Sequence, residues 1–310
     1  MKREEFYYLS ADKKTQIHAV EWKLEGEIKG IIQIIHGVTE HILRYEECAK
    51  FFTEKGFVVV GNDHIGHGES IALNTEPMYF GKDGSWNFVV QDMKKCMELT
   101  KQKYINIPYY MIGFSLGSFL LRTYLIDYNN DKIDGAIIIG TGDISKIESN
   151  IAMYMANKEA KKVGEEHTSP VIKQLTFDTY NKKFKPNKTD FDWLCASKEQ
   201  LDKYIKDQKR GKALSAGLFR ELVYGMKYTS DIKNMKKMNK ELPVIFLSGD
   251  KDPVGKEGNG VIKTLKKFEK IGMKNTKIKL YAGLRHDILH EDSRYKIYTD
   301  IYKWIKQWFI

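Results

Sequence analysis

Hydrophobic positions along the chain fall into short runs separated by stretches with helical spacing. Phe6-Tyr7-Tyr8-Leu9 and Ile17-His18-Ala19-Val20-Glu21-Trp22 have the aromatic and β-branched content of strands. They flank Ser10-Ala11-Asp12-Lys13-Lys14, which predicts a hairpin. Gly30-Ile31-Ile32-Gln33-Ile34-Ile35 is a nearly continuous β-branched run, as expected of a strand buried on both faces. The pattern then predicts a helix over 45–55, a strand over 57–60, a helix over 89–103 and a strand over 109–112. A helix over 118–128 and a strand over 133–139 follow.

Strand and helix alternating at this spacing indicate βαβ units on a parallel sheet. The alternation stops near Asp143, and from there to Lys240 the sequence is mainly helical and rich in lysine. It resumes with Pro243-Val244-Ile245-Phe246-Leu247, a helix over 261–271, a strand over 277–281 and an amphipathic helix over 295–310. The expected fold class is α/β: a mostly parallel central sheet, an N-terminal antiparallel hairpin and a helical insertion. The core comprises 1–142 and 241–310, and the insertion 143–240.

Composition narrows the class of protein. Apolar residues make up 42% and charged residues 30%, enough for a sizeable core in an ordinary globular chain. No run of about 18 apolar residues occurs, which argues against a spanning helix. Glu4-Glu5 stands where a signal peptide needs an apolar segment, so the expected location is the cytosol. Cys48, Cys96 and Cys195 are odd in number and widely spaced, against a disulfide framework or a thiolate zinc site. The net charge of +10 is uneven: residues 151–240 hold 20 Lys or Arg against 11 Asp or Glu. That surplus keeps the protein soluble, and it also suits peripheral contact with anionic lipid. Basic residues are not interleaved with an aromatic stacking motif, so nucleic acid is not an expected partner.

The chemistry centres on Gly113-Phe114-Ser115-Leu116-Gly117, directly after a predicted strand and before a predicted helix. In that context G-x-S-x-G makes a nucleophile elbow, with the serine hydroxyl exposed at the sheet edge. The Leu116 amide then points from the helix N-terminus toward a developing oxyanion. Serine alone is a weak nucleophile and needs a base and an orienting acid. His286 lies in the loop after the last predicted strand, and Asp250 and Asp252 lie in the loop after the first strand past the insertion. Pro253 stiffens the turn beside Asp252, which favours Asp252, while Asp250 suits a capping role. In the loop after an early strand, Gly37 lets backbone approach substrate and the Val38 amide is the second oxyanion donor; His36 supports that loop.

These segments resemble one family. His36-Gly37-x-x-Glu40-His41 with Arg44-Tyr45, Asp63-x-x-Gly66-His67-Gly68-x-Ser70, the elbow at Ser115, Gly249-x-x-Asp252 and Gly283-x-x-His286 are similar to the monoacylglycerol lipase and lysophospholipase group of α/β-hydrolases. The resemblance spans almost the whole chain. It implies an α/β-hydrolase fold, a triad of Ser115, Asp252 and His286, and oxyanion donors Val38 and Leu116. It also implies that the insertion is a cap forming an acyl-chain tunnel. Phe191-Asp192-Trp193-Leu194 looks like a segment of microbial monoacylglycerol lipases. The chain departs from that group at Asp207-Gln208-Lys209-Arg210-Gly211, where an Asp-Pro-x-Cys-Gly stretch is usual, so acyl length and headgroup are not carried over. Substrate-lining candidates in the cap are Ile151, Met155, Leu175, Phe177, Leu214 and Leu218, although any amphipathic helix needs such residues for packing.

The expected reaction is hydrolysis of a lipid-like ester through an acyl-enzyme, with no metal or organic cofactor. The alternatives are a short-chain carboxylesterase, a thioesterase, or a binding protein on the same fold. His286-Asp287-Ile288-Leu289-His290 also resembles H-E-x-x-H, but a zinc site there lacks an evident third ligand.

Overall fold

A computed structural model describes residues 1–308; Phe309 and Ile310, the end of the predicted last helix, lie outside the described residues. Among the described residues eight strands form one sheet: β1 (Lys2–Leu9), β2 (Gln16–Lys23), β3 (Gly30–Ile35), β4 (Phe57–Asn62), β5 (Tyr109–Phe114), β6 (Gly135–Ile139), β7 (Val244–Gly249) and β8 (Thr276–Tyr281). Their order is β1-β2-β4-β3-β5-β6-β7-β8. β1 pairs antiparallel with β2, and β2 antiparallel with β4, while every pairing from β4 to β8 is parallel. The predicted mostly parallel sheet with an antiparallel N-terminal hairpin is therefore present.

Side chains alternate across each strand, so one β-branched run feeds two apolar layers. Ile31 and Ile35 of β3 join the layer containing Met111 and Ile138, whereas Ile32 and Ile34 join that of Ile112 and Ile137. The first layer is covered by α2 (Trp86–Lys103) and α3 (Leu116–Asp127), among others, and the second by α1 (Glu46–Thr53) and the C-terminal helix (Arg294–Ile305). Because β3, β5, β7 and β8 run in parallel, the loops that follow them open at one edge of the sheet.

Between β6 and β7 the chain adds no strand to the sheet. It forms α4 (Lys146–Val163), short helical turns from Pro170 to Phe184, α5 (Lys198–Lys206) and α6 (Ala216–Ser230). One isolated bridge joins Thr168 to Ser215. α6 is not merely a cover: its buried Leu218 and Val223 share the apolar layer of α2 and α3. It also explains why α2 starts at Trp86, three residues before the predicted 89. The Trp86 amide donates to Glu221 of α6 (2.7 Å), a partner that only the fold supplies.

Both ends of the inserted stretch are tied to α3 by a fully buried arginine. Arg122 donates to the Gly142 and Thr229 carbonyls, each at 2.9 Å. Burial draws its pKa down to about 10, and the nearby Asp143 charge opposes that shift.

Candidate active site

The elbow at Ser115 has the geometry its glycines permit. Ser115 sits at φ 52°, ψ −116°, a strained conformation for a residue with a Cβ. A Cβ at Gly113 would lie 2.5 Å from the Gly117 carbonyl oxygen, and one at Gly117 would overlap the Ile35 carbonyl. Glycine at both positions lets α3 start against the end of β3. The strain is held by hydrogen bonds: the Ser115 amide donates to Ile139 (2.9 Å), and Ser118 Oγ donates to the Ser115 carbonyl (2.6 Å).

Three sequence-predicted residues meet at this edge. His286 Nε2 lies 2.8 Å from Ser115 Oγ, and His286 Nδ1 lies 2.9 Å from Asp252 Oδ1. Asp252 is fully buried; its Oδ1 also accepts from the Val254 amide (2.9 Å) and its Oδ2 from Ser248 Oγ (3.3 Å). With a carboxylate on the Nδ1 side, the imidazole carries its proton on Nδ1 and offers Nε2 to the serine hydroxyl. Asp250 accepts instead from the Gly283 amide (2.8 Å), bridging the two loops from the edge of the site.

Leu116, buried, is the first residue of α3, so its N–H has no acceptor within the helix. Val38 lies in a loop braced from within. Thr39, at φ 60°, donates to the Val38 carbonyl (2.6 Å), and the Gly37 amide donates to Glu40. Tyr45 donates to the same carboxylate (2.7 Å), and Arg44 links Glu40 to Asp287. Burial alone would raise the Asp287 carboxyl, but His290 and Arg44 hold it well below the usual range. His290 thus faces Asp287 and the Arg44 carbonyl while His286 faces Asp252 and Ser115, so the two histidines point at different partners. That separates the pair a zinc-type reading would join.

The cap candidates divide. Phe177 is buried and stacks on Trp193 (5.7 Å, 18° between planes), which in turn lies 5.2 Å from the His286 ring. Leu214 and Leu218 are buried in the first apolar layer and Met155 is half-buried. Ile151 and Leu175 are 57% and 40% exposed, so their side chains face solvent.

Sequence reasoning singled out the Trp193 segment but not its connections. Asp287 N–H donates to the Leu194 carbonyl (2.6 Å), and Arg285 reaches the Asp192 and Cys195 carbonyls. Glu291 accepts from the Ala196 amide (2.8 Å). On the other side Tyr204 of α5 meets Thr39 Oγ1 (2.8 Å), and Asp207 meets His41 (2.7 Å). The only sequence signal for these partners was the presence of polar residues flanking the motifs.

A family model described as serine aminopeptidase, S33, matches residues 26–293, a span that holds Ser115, Asp252 and His286. The chain belongs to this family. It is a member of the serine hydrolase and esterase group of the α/β-hydrolase fold. A monoglyceride lipase homolog of monkeypox virus is 25% identical over 93% of this chain and 94% of that protein. Human monoglyceride lipase is 23% identical over 92% of this chain and 85% of that protein. Among solved structures, a thermostable carboxyl esterase from Bacillus coagulans in complex with glycerol superposes with a TM-score of 0.91 at 23% identity, covering 100% of both chains.

Beside the loop that carries Val38 this hydrolase buries three histidines. The His36 ring centroid is 3.9 Å from that of His64 and 5.5 Å from that of His67. His36 Nε2 accepts from the His64 amide (3.1 Å), which leaves Nδ1–H to donate to the Gly37 carbonyl (2.7 Å). Burial, reinforced by the neighbouring imidazoles, lowers His64 to about 3 and His67 to about 4, and pushes His36 far down as well. All three are neutral in the fold, whereas in the unfolded chain they protonate near pH 6.5. Their contribution to stability is therefore complete above pH 6.5 and is lost as pH falls toward the folded-state values. Each buried histidine is expected to remove up to about 1.4 kcal/mol per pH unit in that window. Melting temperature should fall steeply as pH drops from 6.5 to 4.5, with a shallower fall in His67→Phe. An identical slope in the variant counts against this assignment.

Proposed function

We propose that this hydrolase cleaves carboxylic esters of lipid-like substrates, monoacylglycerol or lysophospholipid, through an acyl-enzyme on Ser115. The observation that carries the reading is the unbroken contact from Ser115 through His286 to Asp252, set in a strained elbow. His286 Nε2 takes the Ser115 proton as Oγ attacks the ester carbonyl, and Asp252 holds the tautomer and stabilises the imidazolium. The Leu116 amide, at the positive end of α3, and the Val38 amide donate to the tetrahedral oxygen. His286 returns the proton to the leaving alcohol, and a water activated by the same nitrogen releases the acid. No step needs a metal or organic cofactor.

The inserted helices, 143–240, act as the cap. Support for an apolar acyl group comes from the aromatic cluster of Phe177, Tyr180 and Trp193 against His286. Support for a lipid source comes from the relatives named monoglyceride lipase. The outer face of α4 presents Ile147, Ile151 and Tyr154, at i, i+4 and i+7, within the lysine-rich stretch. That combination suits peripheral contact with an anionic lipid surface. Among the described residues no helix is long and apolar enough to cross a membrane.

The test is hydrolysis of a series of monoacylglycerols, lysophospholipids and short nitrophenyl esters, with and without chelator, presented in neutral and anionic vesicles. Turnover of medium or long monoacyl substrates, unchanged by chelator and faster on anionic vesicles at low salt, is the expected result. Preference for the shortest esters would move the reading to a short-chain carboxylesterase. Indifference to anionic lipid and salt would remove the membrane contact.

A further inference from the structure

We infer that Trp193 is a positioning residue for His286, its indole ring stabilising the imidazolium that forms each time Ser115 gives up its proton. This rests on the proposed serine mechanism and adds to it a residue from a turn of the insertion.

The geometry is specific. His286 is almost fully buried, and its ring is flanked by Trp193 at 5.2 Å (33° between planes) and Phe114 at 5.0 Å (41°). Both lie within the roughly 6 Å at which an aromatic ring attracts a cation. Tryptophan is the stronger of the two partners, and in a dry site the attraction is least screened. The neutral imidazole gains little from the ring and the imidazolium gains more, so the interaction favours the transition state over the resting enzyme.

Trp193 is also held in place. Phe177 stacks on it, Tyr180 packs at 5.2 Å, and Asn181 Oδ1 accepts from its amide (3.1 Å). Its carbonyl accepts from the His286 amide (3.4 Å), and the next carbonyl, of Leu194, accepts from Asp287 (2.6 Å). The segment therefore travels with the histidine loop.

The experiment compares wild type, Ser115→Ala, Trp193→Phe, Trp193→Leu and Trp193→Met on a monoacylglycerol and a short nitrophenyl ester across pH. Melting curves identify the variants that fold. Trp193→Phe keeps a π face and is expected to stay within about 3-fold of wild type in kcat. Trp193→Leu keeps the site dry and apolar without that face, and kcat is expected to fall by about 5- to 10-fold with KM little changed. With the π face removed, the acid limb of the kcat/KM profile is expected to move to lower pH by about half a unit in the leucine and methionine variants and not in phenylalanine. Trp193→Met repeats the π-free test with a flexible chain should leucine fail to fold. If the leucine and methionine variants match phenylalanine in kcat and in the acid limb, the ring is a wall and the inference is overturned. If wild type itself turns over no ester, or Ser115→Ala stays active, the serine mechanism fails and the inference falls with it.

Discussion

Ser115→Ala is expected to lower kcat by ~10⁴- to 10⁶-fold while leaving the fold intact. In the proposed mechanism the hydroxyl is the attacking group and no other group at the elbow replaces it, so any residual rate over water would come from binding and the proposed oxyanion donors alone. The fold should survive because the hydrogen bonds that hold the elbow run through the Ser115 amide and carbonyl, both of which alanine keeps. Alanine also tolerates φ 52° no worse than serine does, so the melting temperature should stay within a few degrees. Steady-state hydrolysis, with mass spectrometry of a fluorophosphonate adduct at Ser115, checks both parts. Full activity in a folded alanine variant would exclude serine as the nucleophile.

The second large effect separates two neighbouring aspartates. Asp252→Ala removes the oxygen that orients His286 and leaves the Val254 amide without its acceptor, so a loss of ~10⁴-fold in kcat is expected. Asp252→Asn should cost less. The Val254 amide needs an oxygen at the Oδ1 position, so the asparagine amide nitrogen turns to Ser248 and the His286 tautomer is kept. What is lost is the charge opposite the imidazolium, and a charge-assisted bond of this kind carries about 10- to 100-fold. Asp250→Asn still accepts from the Gly283 amide and should stay within about 2-fold of wild type. Equal losses for asparagine at 250 and 252 would mean that the orienting acid is misassigned.

What could be read from the chain was set by short-range physics. The β-branched run of β3 and the strand–glycine–serine–glycine–helix context of the elbow are local. They depend on side-chain period and on where a Cβ fits. The placement of Asp252 and His286 in loops after later strands came from the same strand pattern, Pro253 favoured Asp252 over Asp250, and the family resemblance implied the same choice. Boundaries were legible to within a few residues, and they slipped where a distant partner extends an element, as Glu221 does for the start of α2.

Other features depended on residues far apart in sequence that share no period. Trp193 against His286, Tyr204 against Thr39 and Arg122 across both ends of the insertion are separated by tens to well over a hundred positions. The exposure of Ile151 and Leu175, beside the burial of Phe177, also follows from which face each helical turn presents once packed. An amphipathic pattern states that a face is buried and is silent on what buries it. The sequence by itself determined the sheet, the elbow and the kind of chemistry, because these are encoded in local geometry and residue type. Only the tertiary structure decided what surrounds the imidazole and braces the loop at Val38, because those contacts join residues of the insertion to sheet-edge loops far away in sequence.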